Sequence, residues 1–409
     1  MRRTVLSLLI GALLSTSCAA QGAPSAAQTQ TLTVAAAGGE GEVKALRSVA
    51  DAFETANPGT TVVLDTVAAP GELISTLTTA FAAGSAPDVF VLNYRRLGRF
   101  ADSNVIEPVP ASATSGLYAP PLAAFTFDGR LLCRPANAAS MVVYVNTKLF
   151  AEAGLAVPQA GWTWADLRRT AQAFQARGVS AIGFEPALVR LAPFVWSNGG
   201  ELVDSLERPT VVDLSSAPTK AALTLLLDLQ KTGMSATDRA AQEPEDAFTA
   251  GKLAMYLDSR RAVPGFRKTA GLAFDVAPVP ASRTAVSVLH SDGFCVTKKA
   301  KNKALAQAFA AFAVAGPGAN ILARSGRTVP MDKTVAQSPD FLAAGLAPQH
   351  SQVFLDQIGA ARALPHSARW NAAEGAAEEI LVQLFAGKLT LDAAIADIAS
   401  TTRAVLAKK

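Results

Sequence analysis

The feature that most constrains the fold is an alternation of short apolar strands and amphipathic helices soon after the N-terminus. In the first helical segment, Leu46, Val49 and Phe53 recur at three- and four-residue steps, which is typical of one buried helix face. The predicted elements are a strand at 31–36, a helix at 42–56, a strand at 60–67, a helix at 71–83 and a strand at 88–92. Alternation of this kind predicts an α/β fold with a parallel sheet.

A second series of the same kind follows in the middle of the chain. Its predicted elements are strands at 131–134 and 140–146, a helix at 164–176 that Thr163 caps, a helix at 219–231 and a strand at 253–258. A strand at 287–296 is expected to return toward the first half, before an Ala-rich helical tail. Because 409 residues exceed what one hydrophobic core usually supports, we predict two lobes.

The first twenty residues have the composition of a secretory signal peptide, with basic residues, an apolar run at 5–14 and then small residues. The run is shorter than the roughly 20 residues that a membrane-spanning helix needs. Cys18 lies where a bacterial lipoprotein carries its lipid, and ordinary cleavage after Ala19 or Ala27 is the alternative. Residues 21–30 are small and polar and predict a flexible tether. The chain is therefore expected to be exported, either periplasmic or anchored to the outer face of a bacterial membrane.

Two further cysteines, Cys133 and Cys295, form an even pair in an oxidising compartment. One disulfide or two buried thiols are both compatible with the residues alone. The 37 basic and 33 acidic residues give a net charge of +4, and the basic residues are scattered rather than clustered with aromatics. Nucleic-acid binding is therefore not expected.

The sequence contains neither a Gly-x-Ser-x-Gly elbow nor a zinc-binding His-Glu-x-x-His spacing. We therefore expect no enzyme activity, no catalytic residues, no metal and no cofactor. An exported glycan hydrolase is the remote alternative, because two carboxylates that are distant in the sequence can meet in the fold.

Several short phrases occur in an order and at a spacing that resemble the family 1 extracellular solute-binding proteins of ABC importers, the group that includes maltose-binding protein. Each phrase is weak alone, but together they run collinearly from about residue 31 to residue 331. The phrases are Phe53-Glu54 with Asn57-Pro58-Gly59, Ala86-Pro87-Asp88-Val89, Asp128-Gly129-Arg130-Leu131, Tyr144 to Phe150 with Ala153-Gly154-Leu155, Trp162 to Leu167, Trp196 with Gly199-Gly200-Glu201, Phe248 with Ala250-Gly251-Lys252 and Ala254-Met255, and Asp275 to Pro280.

This resemblance implies the type II periplasmic-binding-protein fold, in which two discontinuous α/β lobes are joined by a hinge with a ligand cleft between them. On that template, the N-lobe takes residues 31–135 and 293–330, and the C-lobe takes residues 136–292 and 331–409. Cys133 and Cys295 then both lie near the crossing segments, which favours a disulfide. The implied function is the capture of a carbohydrate by lobe closure and its delivery, by a monomer, to a membrane permease.

The resemblance also implies candidate ligand-binding residues. Gly39 and Glu40 follow the first strand and are expected at the cleft edge, or simply at a helix entry. Asn93, Tyr94 and Arg95 follow a predicted parallel strand, at the end where α/β proteins bind ligands. Trp196 matches a common cleft aromatic, with a core tryptophan as the alternative.

After Met255 the chain departs from its relatives, many of which carry Gly-x-Trp there. It has Asp258, Arg260 and Arg261 instead. Because arginine binds carboxylate or phosphate through two parallel hydrogen bonds, an anionic or phosphorylated solute is an alternative to a neutral sugar. A solvated arginine pair at a helix start is the other reading.

Two further candidates lie later in the chain. Asp292 is expected to accept hydrogen bonds from hydroxyls or to shape the hinge, and Trp370 to cap the cleft. The same fold could also serve a sensory receptor, which would present its closed form to a membrane signalling protein.

Overall fold

The computed structural model describes residues 29–110, 114–233 and 243–408. The predicted signal peptide, Cys18 and most of the predicted tether lie outside these ranges. Gln30, the last residue assigned to the tether, already belongs to the first strand.

The first sheet has six strands and contains the N-terminal strand-helix alternation. Its central order is β2-β1-β3-β13-β4, and β7 pairs with β13. The strands are β1 (Gln30–Ala37), β2 (Thr60–Val67), β3 (Val89–Asn93), β4 (Ile106–Glu107), β7 (Cys133–Pro135) and β13 (Asp292–Thr297). β1 is parallel to β2 and β3, whereas β13 is antiparallel to β3, β4 and β7. The sheet is therefore mixed: the predicted parallel arrangement holds for β1, β2 and β3, and β13, which arrives from the other half of the chain, adds antiparallel pairs.

Helices cover both faces of this sheet. On one face, Val34 and Phe294 pack with Phe53 and Phe309 in one buried cluster. On the other face, Phe90 packs in a second cluster. The covering helices include α1 (Glu40–Ala56), α2 (Pro70–Ala83), α11 (Lys303–Val314) and α12 (Gly316–Arg324).

The second sheet also has six strands, in the order β14-β12-β8-β10-β9, with β11 paired to β8. Its strands are β8 (Ala139–Asn146), β9 (Ser180–Gly183), β10 (Leu253–Ser259), β11 (Phe274–Ala277), β12 (Ser287–His290) and β14 (Ala361–Arg362). All eight residues of β8 and all seven of β10 are buried, as expected for central strands covered on both faces. A two-stranded hairpin of β5 (Thr126–Phe127) and β6 (Arg130–Leu131) lies apart from both sheets.

Two of the remaining helices, Trp164–Gln175 and Ala217–Thr232, lie where the sequence predicts helices, and those from Lys333 onward lie in the predicted helical tail; the others were not predicted. Thr163 caps its helix as predicted, because its hydroxyl accepts a hydrogen bond from the Asp166 N–H at 3.3 Å. These helices are α3 (Leu97–Asp102), α4 (Ala119–Ala124), α5 (Thr147–Glu152), α6 (Trp164–Gln175), α7 (Leu188–Ser197), α8 (Ala217–Thr232), α9 (Pro244–Thr249), α10 (Val263–Lys268), α13 (Lys333–Ala336), α14 (Pro339–Leu342), α15 (Gln352–Asp356), α16 (Trp370–Phe385) and α17 (Leu391–Leu406).

Within the described ranges no single helix is both long and apolar enough to cross a bilayer, although α11 and α12, bent by 50° between them, reach the required length and composition as a pair.

The two sheets exchange strands through crossing segments. The predicted strand at 287–296 is in fact two strands, because Ser291 separates β12 in the second sheet from β13 in the first. The other crossing runs from β7 to β8 through Asn137. The Ser291 hydroxyl donates a 2.5 Å hydrogen bond to the Asn137 carbonyl, which ties the two crossings together.

A disulfide joins Cys133 and Cys295 across this junction, so the predicted pairing is confirmed. The two residues are directly opposite each other in the β7–β13 ladder, with their Cα atoms 4.3 Å apart. The bond therefore closes a loop that contains the whole of the second sheet except β14.

Candidate functional site

A cavity of about 470 Å³ opens between the two sheets, beside the crossing segments. Both halves of the molecule and both crossings contribute to its wall. Its polar lining includes Glu42, Asn93, Arg95, Arg96, Asn137, Ser259, Arg261, His290, Asp292 and Arg327. The site therefore lies where a movement of one half against the other would change its shape.

The loop after β3 carries two of the predicted site residues into the cavity. The Asn93 side chain accepts a hydrogen bond from the Arg95 N–H at 3.2 Å, which begins a 3₁₀ turn at Tyr94–Arg96. Asn93 and Arg95 line the cavity, but Tyr94 does not, because its ring is fully buried. The Tyr94 hydroxyl donates to the Leu289 carbonyl at 3.2 Å, and burial raises its pKa to about 12. Tyr94 therefore supports the loop from inside the core.

Asp292 lies at the start of β13, and amide side chains hold its carboxylate. The Asn93 side chain donates to Oδ1 at 3.0 Å, and the Asn137 side chain donates to Oδ2 at 3.3 Å. These amides come from the β3 loop and from the other crossing. Asp292 thus presents a fixed acceptor to the cavity, where the prediction placed one.

Arg95 connects the first half of the molecule to α16. Its Nη1 lies 2.6 Å from Oε1 of Glu374, a buried carboxylate on that helix. Burial lowers the pKa of Arg95, but the attraction of Glu374 outweighs it, so the net pKa is raised. One turn further on, burial and the neighbouring Glu374 raise the pKa of Glu378 to about 7.

On the opposite wall a buried charge cluster fixes Arg261. Asp258 is fully buried, and its Oδ1 lies 3.1 Å from Nη2 of Arg190, while Oδ2 pairs with Arg261. Arg261 also lies 2.9 Å from Glu245. Burial raises the pKa of Asp258, but Arg190 and Arg261 outweigh it and leave the pKa lowered. Asp258 is thus an ionised positioning residue behind the cavity wall, not a residue that lines it.

The predicted pair Arg260 and Arg261 is split by a 3₁₀ turn at Arg260–Ala262. Arg261 lines the cavity, whereas Arg260 points into the core. The Arg260 guanidinium lies 4.0 Å from the ring centroid of Phe341 and 5.0 Å from that of Phe354. Burial lowers its pKa to about 9. Placing Arg260 in the cleft was therefore wrong, because in a turn this tight consecutive side chains point in different directions.

Both predicted cleft tryptophans are buried and lie away from the cavity lining. Trp196 is 3% exposed. The Arg362 guanidinium lies over the Trp196 ring, 4.6 Å from the ring centroid. Trp370 is fully buried at the start of α16. In this conformation Trp196 follows the alternative reading of a core tryptophan, and Trp370 does not cap the cavity.

The turn between β1 and α1 reaches the cavity through residues other than those predicted. Gly39 and Glu40 are exposed, whereas Gly38 and Glu42 line the cavity. Glu42 accepts a hydrogen bond from the Gly39 N–H at 3.0 Å and pairs with Arg327 at 2.6 Å. A Cβ atom at Gly38 would lie 2.8 Å from that of Glu42, so glycine is needed for this close approach.

Several polar lining residues were missing from the predicted set, among them Arg96, Asn137, His290 and Arg327. Arg96 directly follows the predicted residues 93–95, and His290 lies two residues before Asp292 in the crossing. Both could therefore have been predicted from their position in the sequence. Asn137 and Arg327 could not have been. The His290 Nε2 atom is buried and has no hydrogen-bond partner in the described part of the chain, and burial together with Arg190 and Arg95 lowers the pKa of His290 to about 3.

Two α/β lobes that exchange strands beside a cavity lined with polar groups from both lobes define a solute-receptor fold. Residues 37–318 match the family model of bacterial extracellular solute-binding proteins. The chain belongs to that family, which is one of binding proteins.

Relatives and solved structures agree with this assignment. A binding protein from Brucella abortus (strain 2308) is 24% identical over 378 residues, covering 88% of this chain and 89% of that protein. An ABC substrate-binding protein from Listeria monocytogenes, solved with cycloalternan, superposes with a TM-score of 0.83 at 23% identity, over 93% of this chain and all of that one. The GacH receptor of Streptomyces glaucescens, studied with acarbose, gives 0.79 at 22% identity, over 92% and 98%. The predicted two-lobed fold is therefore confirmed.

Proposed function

We propose that this protein is the extracytoplasmic substrate-binding component of an ABC importer, which captures a carbohydrate between its lobes and delivers it to a membrane permease. The observation that carries the proposal is the polar cavity lined by both lobes and by both crossings. A volume of about 470 Å³ is within the usual range for a small-molecule site. The solved relatives with cycloalternan and acarbose support the carbohydrate class.

The cavity offers the groups that sugar hydroxyls require. Asp292 supplies fixed acceptors, and Asn93 and Asn137 supply amides that are already oriented by it. Hydroxyls left unpaired on closure would cost about 1–3 kcal/mol each, so a preformed network of this kind gives selectivity. A ligand bound to groups from both lobes would stabilise the closed state.

The lobe boundaries are also part of the proposal. We assign residues 31–135 and 293–330 to the N-lobe and residues 136–292 and 331–409 to the C-lobe. The strand membership of the two sheets supports this division. Ala319 and Ala323 of α12 also pack against the core of the second sheet, so this helix contributes to the contact between the lobes.

The chain is proposed to act as a monomer outside the cytoplasm and without enzyme activity, consistent with a family of extracellular binding proteins. A lipid on Cys18 would keep it near the permease.

Calorimetric titration with a panel of saccharides tests the proposal. We expect one binding site per chain and recovery of the saccharide unchanged after prolonged incubation. Asp292→Asn should weaken binding by about ten- to hundred-fold, because a fixed acceptor is lost. The matched control is Asp102→Asn, since Asp102 is exposed at the end of α3. Hydrolysis of a bound saccharide, or failure of every saccharide to bind, would contradict the proposal.

A further inference from the structure

We propose that the cavity selects a saccharide that carries a single carboxylate, such as a uronic acid, and that Arg96 is the residue that recognises it. This inference rests on the proposed function and narrows its substrate class.

Arg96 differs from the other arginines of the cavity wall because it forms no ion pair with any described residue. Arg95 lies 2.6 Å from Glu374, Arg261 lies 2.9 Å from Glu245, and Arg327 lies 2.6 Å from Glu42. Arg96 forms neither an ion pair nor a side-chain hydrogen bond with any residue in the described ranges. It is half-buried and lines the cavity. An anionic group of a ligand would therefore form a stronger interaction with Arg96 than with the arginines that already have a carboxylate partner.

The surroundings of Arg96 are compatible with a negatively charged ligand. Burial and the adjacent Arg95 lower the pKa of Arg96, while Glu374 and Asp292 oppose this. A guanidinium nevertheless stays protonated at neutral pH. Three arginines, Arg190, Arg95 and Arg261, also lower the pKa of His290, and Asp258 only partly offsets them. Arginines therefore outnumber carboxylates among the charged groups that act on His290.

The charge inventory favours one negative charge over two. Arg95, Arg261 and Arg327 each pair with a protein carboxylate, which leaves Arg96 as the lining arginine without an ion pair in the described ranges. A carboxylate matches it in charge and can form two parallel hydrogen bonds with it. A phosphate dianion would bring a second charge into the closed site without a partner. Asp292, held by Asn93 and Asn137 rather than by a cation, would face the ligand's hydroxyls and not its carboxylate.

The lack of aromatic surface points in the same direction. Among the described residues that line the cavity, Phe294 is the only aromatic one, and it is 3% exposed. Neutral saccharides rely on aromatic rings to cover their C–H faces. Here polar and charged contacts must supply more of the affinity and the selectivity.

Isothermal titration of matched pairs tests the inference: D-glucuronate against D-glucose, and D-galacturonate against D-galactose, with D-glucose 6-phosphate as the dianionic arm. We expect an acid of one pair to bind at least ten-fold more tightly than its neutral partner and than the phosphate. Arg96→Gln should remove that preference by about ten- to hundred-fold, since a charged hydrogen-bond partner is lost. Arg99→Gln is the matched control, because Arg99 is exposed one turn along the same segment.

A thermal melt of each variant shows whether it is folded, and Arg96→Lys, which keeps the charge, should retain part of the acid preference. Binding of neutral sugars alone, or stronger binding of the phosphate, would overturn the inference and leave the proposed function standing. An acid preference that survives Arg96→Gln would overturn the role of Arg96. Binding of none of these sugars would overturn the inference, whereas failure of the wider saccharide panel is what would overturn the proposed function.

Discussion

Glu378 and Glu374 lie one turn apart on α16, on the side that faces Arg95. Glu374 pairs with that arginine, whereas Glu378 accepts, among the described residues, only the Leu188 N–H at 3.2 Å. Burial and the charge of Glu374 raise the pKa of Glu378 to about 7, compared with 4.5 for a free glutamate. The folded protein therefore binds this proton more tightly than the unfolded chain does.

This difference predicts how stability depends on pH. The stabilisation that Glu378 gives is fully present below pH 4.5 and is lost as pH rises through 7. Glu378→Gln keeps an acceptor for Leu188 but cannot ionise. Urea unfolding at pH 5 and pH 8 should therefore show a gain of roughly 2 kcal/mol for the variant, relative to wild type, at the higher pH. His290 titrates in both proteins, so its contribution cancels in the comparison.

Glu379→Gln is the control, because Glu379 is exposed and next in sequence. It should leave the pH profile unchanged. If Glu378→Gln and wild type lose stability in parallel between the two pH values, the buried carboxyl is not a site of proton-linked stability.

Side-chain direction limited the residue-level prediction. Arg260 and Arg261 have the same chemistry in the sequence, yet one contacts Phe341 and the other lines the cavity. Tyr94 and Arg95 are separated in the same way. The sequence located both loops, because they follow recognisable buried strands. It could not tell which side chain faces the cavity, because neither 3₁₀ turn has a periodic hydrophobic pattern that would reveal its orientation.

The helices and strands that were predicted with bounds agree with the structure within one or two residues, because their periodicity is local. The exceptions are residues 131–134 and 287–296, each predicted as one strand and each divided between two strands in the structure. The change of sheet at Ser291 depends on its partner Asn137, which is distant in sequence. The mixed order of the first sheet was missed for the same reason.

The disulfide joins strands β7 and β13 at the point where the chain leaves the first sheet and returns to it. Replacing both Cys133 and Cys295 with alanine should lower the free energy of unfolding by about 2–5 kcal/mol, because the unfolded chain loses a long closed loop. Urea denaturation of wild type and the double variant, both without a reducing agent, measures this difference in free energy. Dithiothreitol should destabilise wild type and leave the double variant unaffected. Equal stability of the two proteins would mean that the bond does not stabilise the junction.

At the level of the complete chain, two lobes followed from length and from the two strand-helix series, and the family followed from collinear phrases. The family resemblance implied a cleft between the lobes, but its complete lining could not be predicted, because it combines residues as distant as Glu42, Arg261 and Asp292. In this structure the Arg95–Glu374 ion pair already joins the β3 loop to α16. The central claim is that a ligand in this cavity shifts the molecule toward a closed arrangement of the lobes.

Small-angle scattering of the protein, free and saturated with the saccharide that calorimetry identifies, tests this claim most directly. We expect a smaller radius of gyration for the bound protein, and no change for Asp292→Asn at a saccharide concentration that leaves this variant unoccupied. An identical radius for the free and the fully occupied wild-type protein would contradict it.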